Sequence, residues 1–96
     1  MKEMQARTED RTIRLKRLSM RSMRRGTKEM DIVLSGFCVS NLAKMDEEAL
    51  DTYEALLLEN DQDLYQWITG QVVSKQRYEN LIGQINEYLS SKYLYT

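Results

Sequence analysis

Histidine is absent from the 96-residue chain, and Cys38 is its only cysteine. These shortages remove Ser-His-Asp and Cys-His catalytic arrangements within one chain. They also remove zinc sites built from His and Cys. One cysteine forms no internal disulfide, so an oxidising compartment is not indicated. Proline is absent too, and there are only four glycines. Chains that build sheets and tight hairpins use more of both. Apolar runs are a few residues long, too short for a membrane span or the hydrophobic centre of a signal peptide, so no membrane insertion is expected.

What is present is helix-forming text. The chain is 42% hydrophobic and 30% charged, a balance typical of globular domains and too apolar for disorder. The length suits one domain. The reading is an all-α, compact five-helix bundle over residues 11–93, preceded by a flexible arm over 1–10. From Asp10, residues Ile13, Leu15, Leu18, Met20 and Met23 form an imperfect apolar stripe, and Gly26 is expected to cap the first helix in the left-handed conformation. Arg24 and Arg25 then fall in its last turn, where cations suit the helix dipole. Thr27 is the expected N-cap of a second helix, whose apolar face is Met30, Val33, Leu34, Phe37, Cys38 and Leu42. Gly36 lies within that helix. Asp46 opens a third helix around Leu50, Tyr53, Leu56 and Leu57. Asp61 opens a short fourth with Leu64, Tyr65, Trp67 and Ile68, ending at Gly70. Ser74 opens a fifth with Tyr78, Leu81, Ile82, Ile85 and Leu89. The tail Tyr93-Leu94-Tyr95 is left open between packing and dangling.

Charge is unevenly spread. Residues 1–30 hold ten Lys/Arg against four acids, a net +6, and the remainder holds four against eleven, a net −7. A solvated basic helix beside an acidic bundle explains this, and no aromatic interleaves the arginines, so nucleic acid is not the expected partner. Glu3, Glu9 and Asp10 interrupt the Arg-rich start, and mitochondrial presequences avoid acids. A bacterial cytoplasm is therefore expected ahead of a mitochondrial matrix.

Arg25-Gly26-Thr27-Lys28-Glu29 lies at the first helix junction, where its charged groups are expected to be exposed. Arg25 offers a planar fork of donors and Glu29 two acceptor oxygens. The purely structural alternative is a Gly26 cap with an Arg25–Glu29 pair across the junction. Glu59, Asp61 and Asp63 lack the spacing of a calcium loop and are read as helix-capping residues, with no metal expected. Trp67 is read as a core anchor, with a partner-facing edge as the other reading. Cys38 is read as buried and inert. Met20, Met23 and Met30 offer an adaptable surface beside the junction. No carboxylate pair with a substrate pocket is identifiable, so the chain is not read as an enzyme.

Two blocks carry a family resemblance. Arg24-Arg25-Gly26-Thr27-Lys28-Glu29-Met30-Asp31-Ile32-Val33-Leu34 through Phe37 resembles the signature of the succinate dehydrogenase flavinylation factors, also called FAD assembly factors. Tyr53-Glu54-Ala55-Leu56-Leu57, leading into Asp61-Gln62-Asp63-Leu64-Tyr65-Gln66-Trp67, is similar to the family's second block. The likeness spans residues 15–90, and residues 1–14 have no counterpart. Cys38 stands where some members have a bulkier residue. The resemblance implies a small helical chaperone that binds the flavoprotein subunit of succinate dehydrogenase, and in bacteria that of fumarate reductase. It implies that the factor promotes covalent attachment of FAD to a histidine of that subunit, holding no cofactor stably itself. Carried over by position, it places Arg25, Gly26 and Glu29 at the partner contact, with Arg24, Lys28, Asp31 and Trp67 as weaker candidates. A monomer is expected, with a dimer the other outcome. The alternative function is a small regulatory protein that binds nucleic acid or another protein through the basic N-terminal helix. A free-FAD carrier has no Gly-rich phosphate loop to support it.

Overall fold

Side-chain caps set where most of the helices begin. A computed structural model of the chain describes residues 9–94, with the side chains of Tyr93 and Leu94 left aside. The expected flexibility of residues 1–8, and the end of the tail, lie outside the described residues. Asp10 accepts the N–H groups of Thr12 (2.8 Å) and Ile13 (3.3 Å) and opens α1, Arg11–Ser22. Thr27 Oγ1 accepts the Met30 N–H at 3.2 Å and opens α2, Lys28–Asn41. A 3-10 turn, Leu42–Lys44, leads to α3, Glu47–Leu56, where Asp46 accepts the Ala49 N–H at 2.8 Å. Glu47 and Glu48 follow in the first turn of α3, at the positive end of its dipole.

The fourth helix, α4, spans Asp61–Ile68, but its cap is Asn60 and not Asp61. Asn60 Oδ1 accepts from Gln62 N at 2.7 Å, which releases the Asp61 carboxylate for a tertiary role. After α4 the chain turns at Gly70, whose φ of +81° is the one left-handed backbone position among the described residues. Ser74 caps nothing: a 3-10 turn over Gln76–Tyr78 leads directly into α5, Glu79–Leu89, which has no side-chain cap. A π-helical turn, Ser90–Leu94, ends the described chain. The described residues contain no strand, as expected of an all-α bundle.

The core gathers on α2. Met30, Leu34 and Phe37 are fully buried, with Cys38 and Leu42 nearly so. Around them lie Leu18 from α1, Leu50, Tyr53 and Leu56 from α3, Leu64 and Ile68 from α4, and Ile85 from α5. Phe37 meets the Tyr53 ring at 6.1 Å and the edge of Tyr88 at 6.0 Å. Gly36 makes the Tyr88 approach feasible, because a Cβ there would run into the Tyr88 hydroxyl. Trp67 packs on Tyr78 at 5.9 Å and is almost wholly covered, as a core anchor should be. The buried polar groups answer one another: Ser22 Oγ donates to Leu18 C=O (2.8 Å), so the Tyr53 hydroxyl, 2.6 Å away, donates to Ser22. Burial pushes the Tyr53 phenol well above its ordinary pKa, and keeps the hydroxyl protonated as this chain requires.

The first helix departs most from expectation. Leu18 and Ser22 face inward and Leu15 is partly covered, while Ile13, Met20 and Met23 of the expected stripe are exposed. The arginines decide this orientation. Arg11 and Arg14 bind the two oxygens of Glu47 at 3.0 and 2.9 Å, Arg14 also binds Asp51 at 2.7 Å, and Arg17 binds Glu54 at 2.8 Å. A ladder of cations along α1 thus faces a ladder of acids along α3, and the remaining apolar side chains are turned outward. Much of the charge asymmetry in the sequence is neutralised within the fold.

Candidate functional site

Helix α1 ends at Ser22, with Met23 as its C-cap, so Arg24 and Arg25 lie in a loop and not in its last turn. Gly26 has no positive φ. It is therefore not the left-handed cap that its position suggested, and its small size answers a different need. Its N–H donates to Asp61 Oδ2 at 2.6 Å, and a Cβ at this position would lie 3.0 Å from the same oxygen. Glycine lets the loop backbone close on a carboxylate that a side chain would crowd.

Arg25 is likewise not presented outward. Its side chain is 9% exposed and turned into the molecule. Nε donates to Asp61 Oδ1 at 2.7 Å, Nη1 to Leu57 C=O at 2.8 Å and Nη2 to Glu59 C=O at 3.2 Å. The guanidinium closes the end of α3 by occupying carbonyls in the α3–α4 turn, where no cap supplies a partner. The partner of Arg25 is thus Asp61 and not Glu29. The Arg25 N–H donates to Asp31 Oδ1 at 2.6 Å, so Asp31 holds the loop from the α2 side. Two carboxylates from different helices fix two successive backbone amides.

What remains outward is a short charged ridge. Arg24, Gly26, Thr27, Lys28 and Glu29 are exposed. The side chains of Arg24, Lys28 and Glu29 have no hydrogen-bond or ion-pair partner among the described residues, the Arg24 backbone N–H donating to Arg21 C=O at 3.4 Å. Glu29 stands in the first turn of α2, at the positive end of its dipole. The arrangement suits a docking ridge: rigid backbone below, unsatisfied donors and acceptors above. The candidate residues thus divide. Arg24, Gly26, Lys28 and Glu29 form the surface, Arg25 and Asp31 support it, and Trp67 lies in the core. Met20 and Met23 are exposed near the ridge, while Met30 is fully buried. Asp61 is the residue that sequence reasoning misplaced. It stands in a polar run full of capping residues, and nothing local distinguishes it from them.

The acidic group does not converge. Glu59 accepts from Lys75 Nζ at 2.9 Å and from the Tyr78 hydroxyl at 3.0 Å, and the Lys75 ammonium holds its carboxyl below the usual range. No cluster of His, Cys, Asp and Glu among the described residues is arranged to hold a metal ion. Cys38 is buried, donates weakly to Ser35 C=O at 3.3 Å, and has its thiol pKa raised by burial.

Comparison with known families decides what kind of protein carries this ridge. The family model described as flavinator of succinate dehydrogenase matches residues 16–89, most of the chain and all of the ridge. The chain belongs to this family. Proteins named succinate dehydrogenase assembly factor 2, mitochondrial, are similar to it. That of Schizosaccharomyces japonicus is 40% identical over 78 residues, covering 79% of this chain and 54% of the relative. That of Saccharomyces cerevisiae is 38% identical over 81 residues, covering 79% and 50%. A Candida glabrata relative is 49% identical over 53 residues, covering 55% and 35%. The chain thus spans about half the length of the leading curated relatives it matches.

These matches correct the expected compartment. The relatives are fungal proteins whose names place them in mitochondria, which points away from a bacterial cytoplasm. The acids at the start of the chain misled for a structural reason. Of the three, Glu9 pairs with Arg17 at 2.8 Å and Asp10 caps α1, so these two serve the folded bundle, while Glu3 lies outside the described residues.

Proposed function

We propose that the chain is an assembly factor that binds the flavoprotein subunit of succinate dehydrogenase and promotes covalent attachment of FAD to a histidine of that subunit. The flavoprotein is the client, FAD is acted on within it, and the flavin chemistry belongs to the client's own groups. The compartment that fits the relatives' names is the mitochondrion. Family membership supports the pairing with succinate dehydrogenase. The observation that carries the mechanism is the ridge itself. The side chains of Arg24, Lys28 and Glu29 are exposed and unpartnered above a loop that Asp31 and Asp61 hold rigid.

A factor without a nucleophile or general base of its own can still accelerate a reaction. Holding two reacting groups of another protein in productive geometry removes much of the entropic barrier, and fixed dipoles stabilise developing charge without reorganising. The ridge offers separated charges of both signs, so it can hold one client conformation by paired contacts. Rigid support matters because a loop that must first order itself would lose part of the binding energy.

The test is covalent flavin retained by the client after denaturation, read by in-gel fluorescence. The flavoprotein subunit is co-produced with this protein, with Glu29→Ala, with Arg24→Ala/Lys28→Ala, or alone. Wild type is expected to raise the covalent signal, and the ridge variants to lower it about tenfold while staying folded. Equal signal in all four arms would remove the reading. A fumarate reductase flavoprotein, assayed in parallel, shows whether the client range extends to it.

A further inference from the structure

The outward side of α1 is not explained by the ridge. Ile13, Met20 and Met23 are 56%, 47% and 47% exposed, on a helix whose inward side is occupied by Leu18 and Ser22. Lys16 stands between them, its side chain exposed and without a hydrogen-bond or ion-pair partner among the described residues. Arg24 continues the same side into the loop. Ile13, Lys16 and Met20 share one face of α1, and beyond its end at Ser22 the groove they line continues to Arg24 of the ridge. We infer that this face is a second contact with the flavoprotein client, and that it takes an acidic segment bearing apolar side chains. This rests on the client reading above.

Three observations select that occupant. The face is apolar and cationic at once, so its complement is apolar and anionic. Two of its apolar groups are methionines, whose unbranched side chains adapt to a partner's shape. The face is also continuous with the ridge, so one partner can cover both. A polyanion or an anionic membrane fits less well. Arg11 and Arg14 are held by Glu47, Asp51 and Glu54 on the other side of the helix, and Arg17, which borders the face, is held by Glu9 and Glu54, so Lys16 and Arg24 are the main cations left for phosphates, with Arg21 4.0 Å from Glu54. No aromatic lies on the face to stack on bases or anchor at a lipid interface.

The test is titration of the full chain with the flavoprotein subunit, by calorimetry at two salt concentrations. The proteins are wild type, Lys16→Glu, Lys16→Arg, Met20→Glu and Glu29→Ala, with circular dichroism confirming helicity. Lys16→Glu and Met20→Glu are expected to weaken binding about tenfold, and Lys16→Arg, which keeps the charge, to bind like wild type. The wild-type affinity should fall with salt more steeply than that of Lys16→Glu. If Glu29→Ala weakens binding but both face variants bind like wild type, the second contact does not exist and the assembly-factor reading stands. If wild type does not bind the subunit at all, the client reading fails and this inference with it. Duplex DNA and phosphatidylserine vesicles are titrated as further arms. Binding there that Lys16→Glu abolishes, with client binding unchanged, would overturn the choice of an acidic protein segment.

Discussion

At the scale of single residues, Arg25 changes meaning between sequence and structure. The motif presents it as a contact residue, yet its guanidinium is spent on Asp61, Leu57 and Glu59. Its substitution therefore acts on stability as well as on binding. Arg25→Ala leaves a partly buried carboxylate and two carbonyls without their donor, and is expected to cost about 2–4 kcal/mol in urea unfolding. Arg25→Lys should recover only part of this, since one ammonium cannot span three acceptors. Gly26→Ala should cost about 1–3 kcal/mol through crowding against Asp61. In an Asp61→Ala background that crowding is gone, so the two costs should not add. Additive costs in the double-mutant cycle would show that Gly26 is required for some other reason. Loss of activity in a Gly26 or Arg25 variant thus does not by itself identify a contact. Glu29, exposed and unpartnered, is the cleaner probe.

At the scale of elements, the caps were legible and the tertiary pairs were not. Thr27 and Asp46 open their helices as local rules predict, and the spacing of Met30, Leu34, Phe37 and Cys38 located the buried side of α2. The apolar spacing of α1 predicts more of its apolar side turned inward than the fold allows, because periodicity cannot see that Glu47, Asp51 and Glu54 wait across the interface. Local rules predict Asp61 as a cap for the same reason: its partners lie 35 and 36 residues away. The motif loop could be found from sequence, but the division between presenting and supporting residues required the pairings. The α1–α3 ladder also has a pH signature. Hydrogen bonding to Arg17, and then its charge, holds the Glu54 carboxyl below its ordinary range despite burial. A lowered folded pKa stabilises the fold above the unfolded value of about 4.3. That contribution is lost as pH falls through the lower folded value. Glu54→Gln is expected to cost about 1 kcal/mol at neutral pH and to flatten the acid limb of the stability curve. An unchanged acid limb would mean the ladder contributes nothing net.

At the scale of the molecule, helices from across the described chain converge on one cluster of buried side chains. Unfolding is expected to be a single cooperative transition, the same by fluorescence of Trp67 and by helical circular dichroism. Phe37 joins α2 to Tyr53 of α3 and Tyr88 of α5. Phe37→Ala should cost about 3–5 kcal/mol, a large share of what a domain of this size has. Separate transitions by the two probes would show that part of the bundle opens independently of the core around Trp67.

Cys38 provides a clock. Its thiol sits against the inner side of the central helix, 3% exposed and with its ionisation suppressed by burial. A thiol reagent reaches such a group only when the core opens, so the labelling rate counts openings. With no second cysteine in the chain, every modified molecule reports that one event. Added client that grips the folded form should slow the clock in proportion to its occupancy, which makes one sulfur a mass-spectrometric readout of binding without any engineered label.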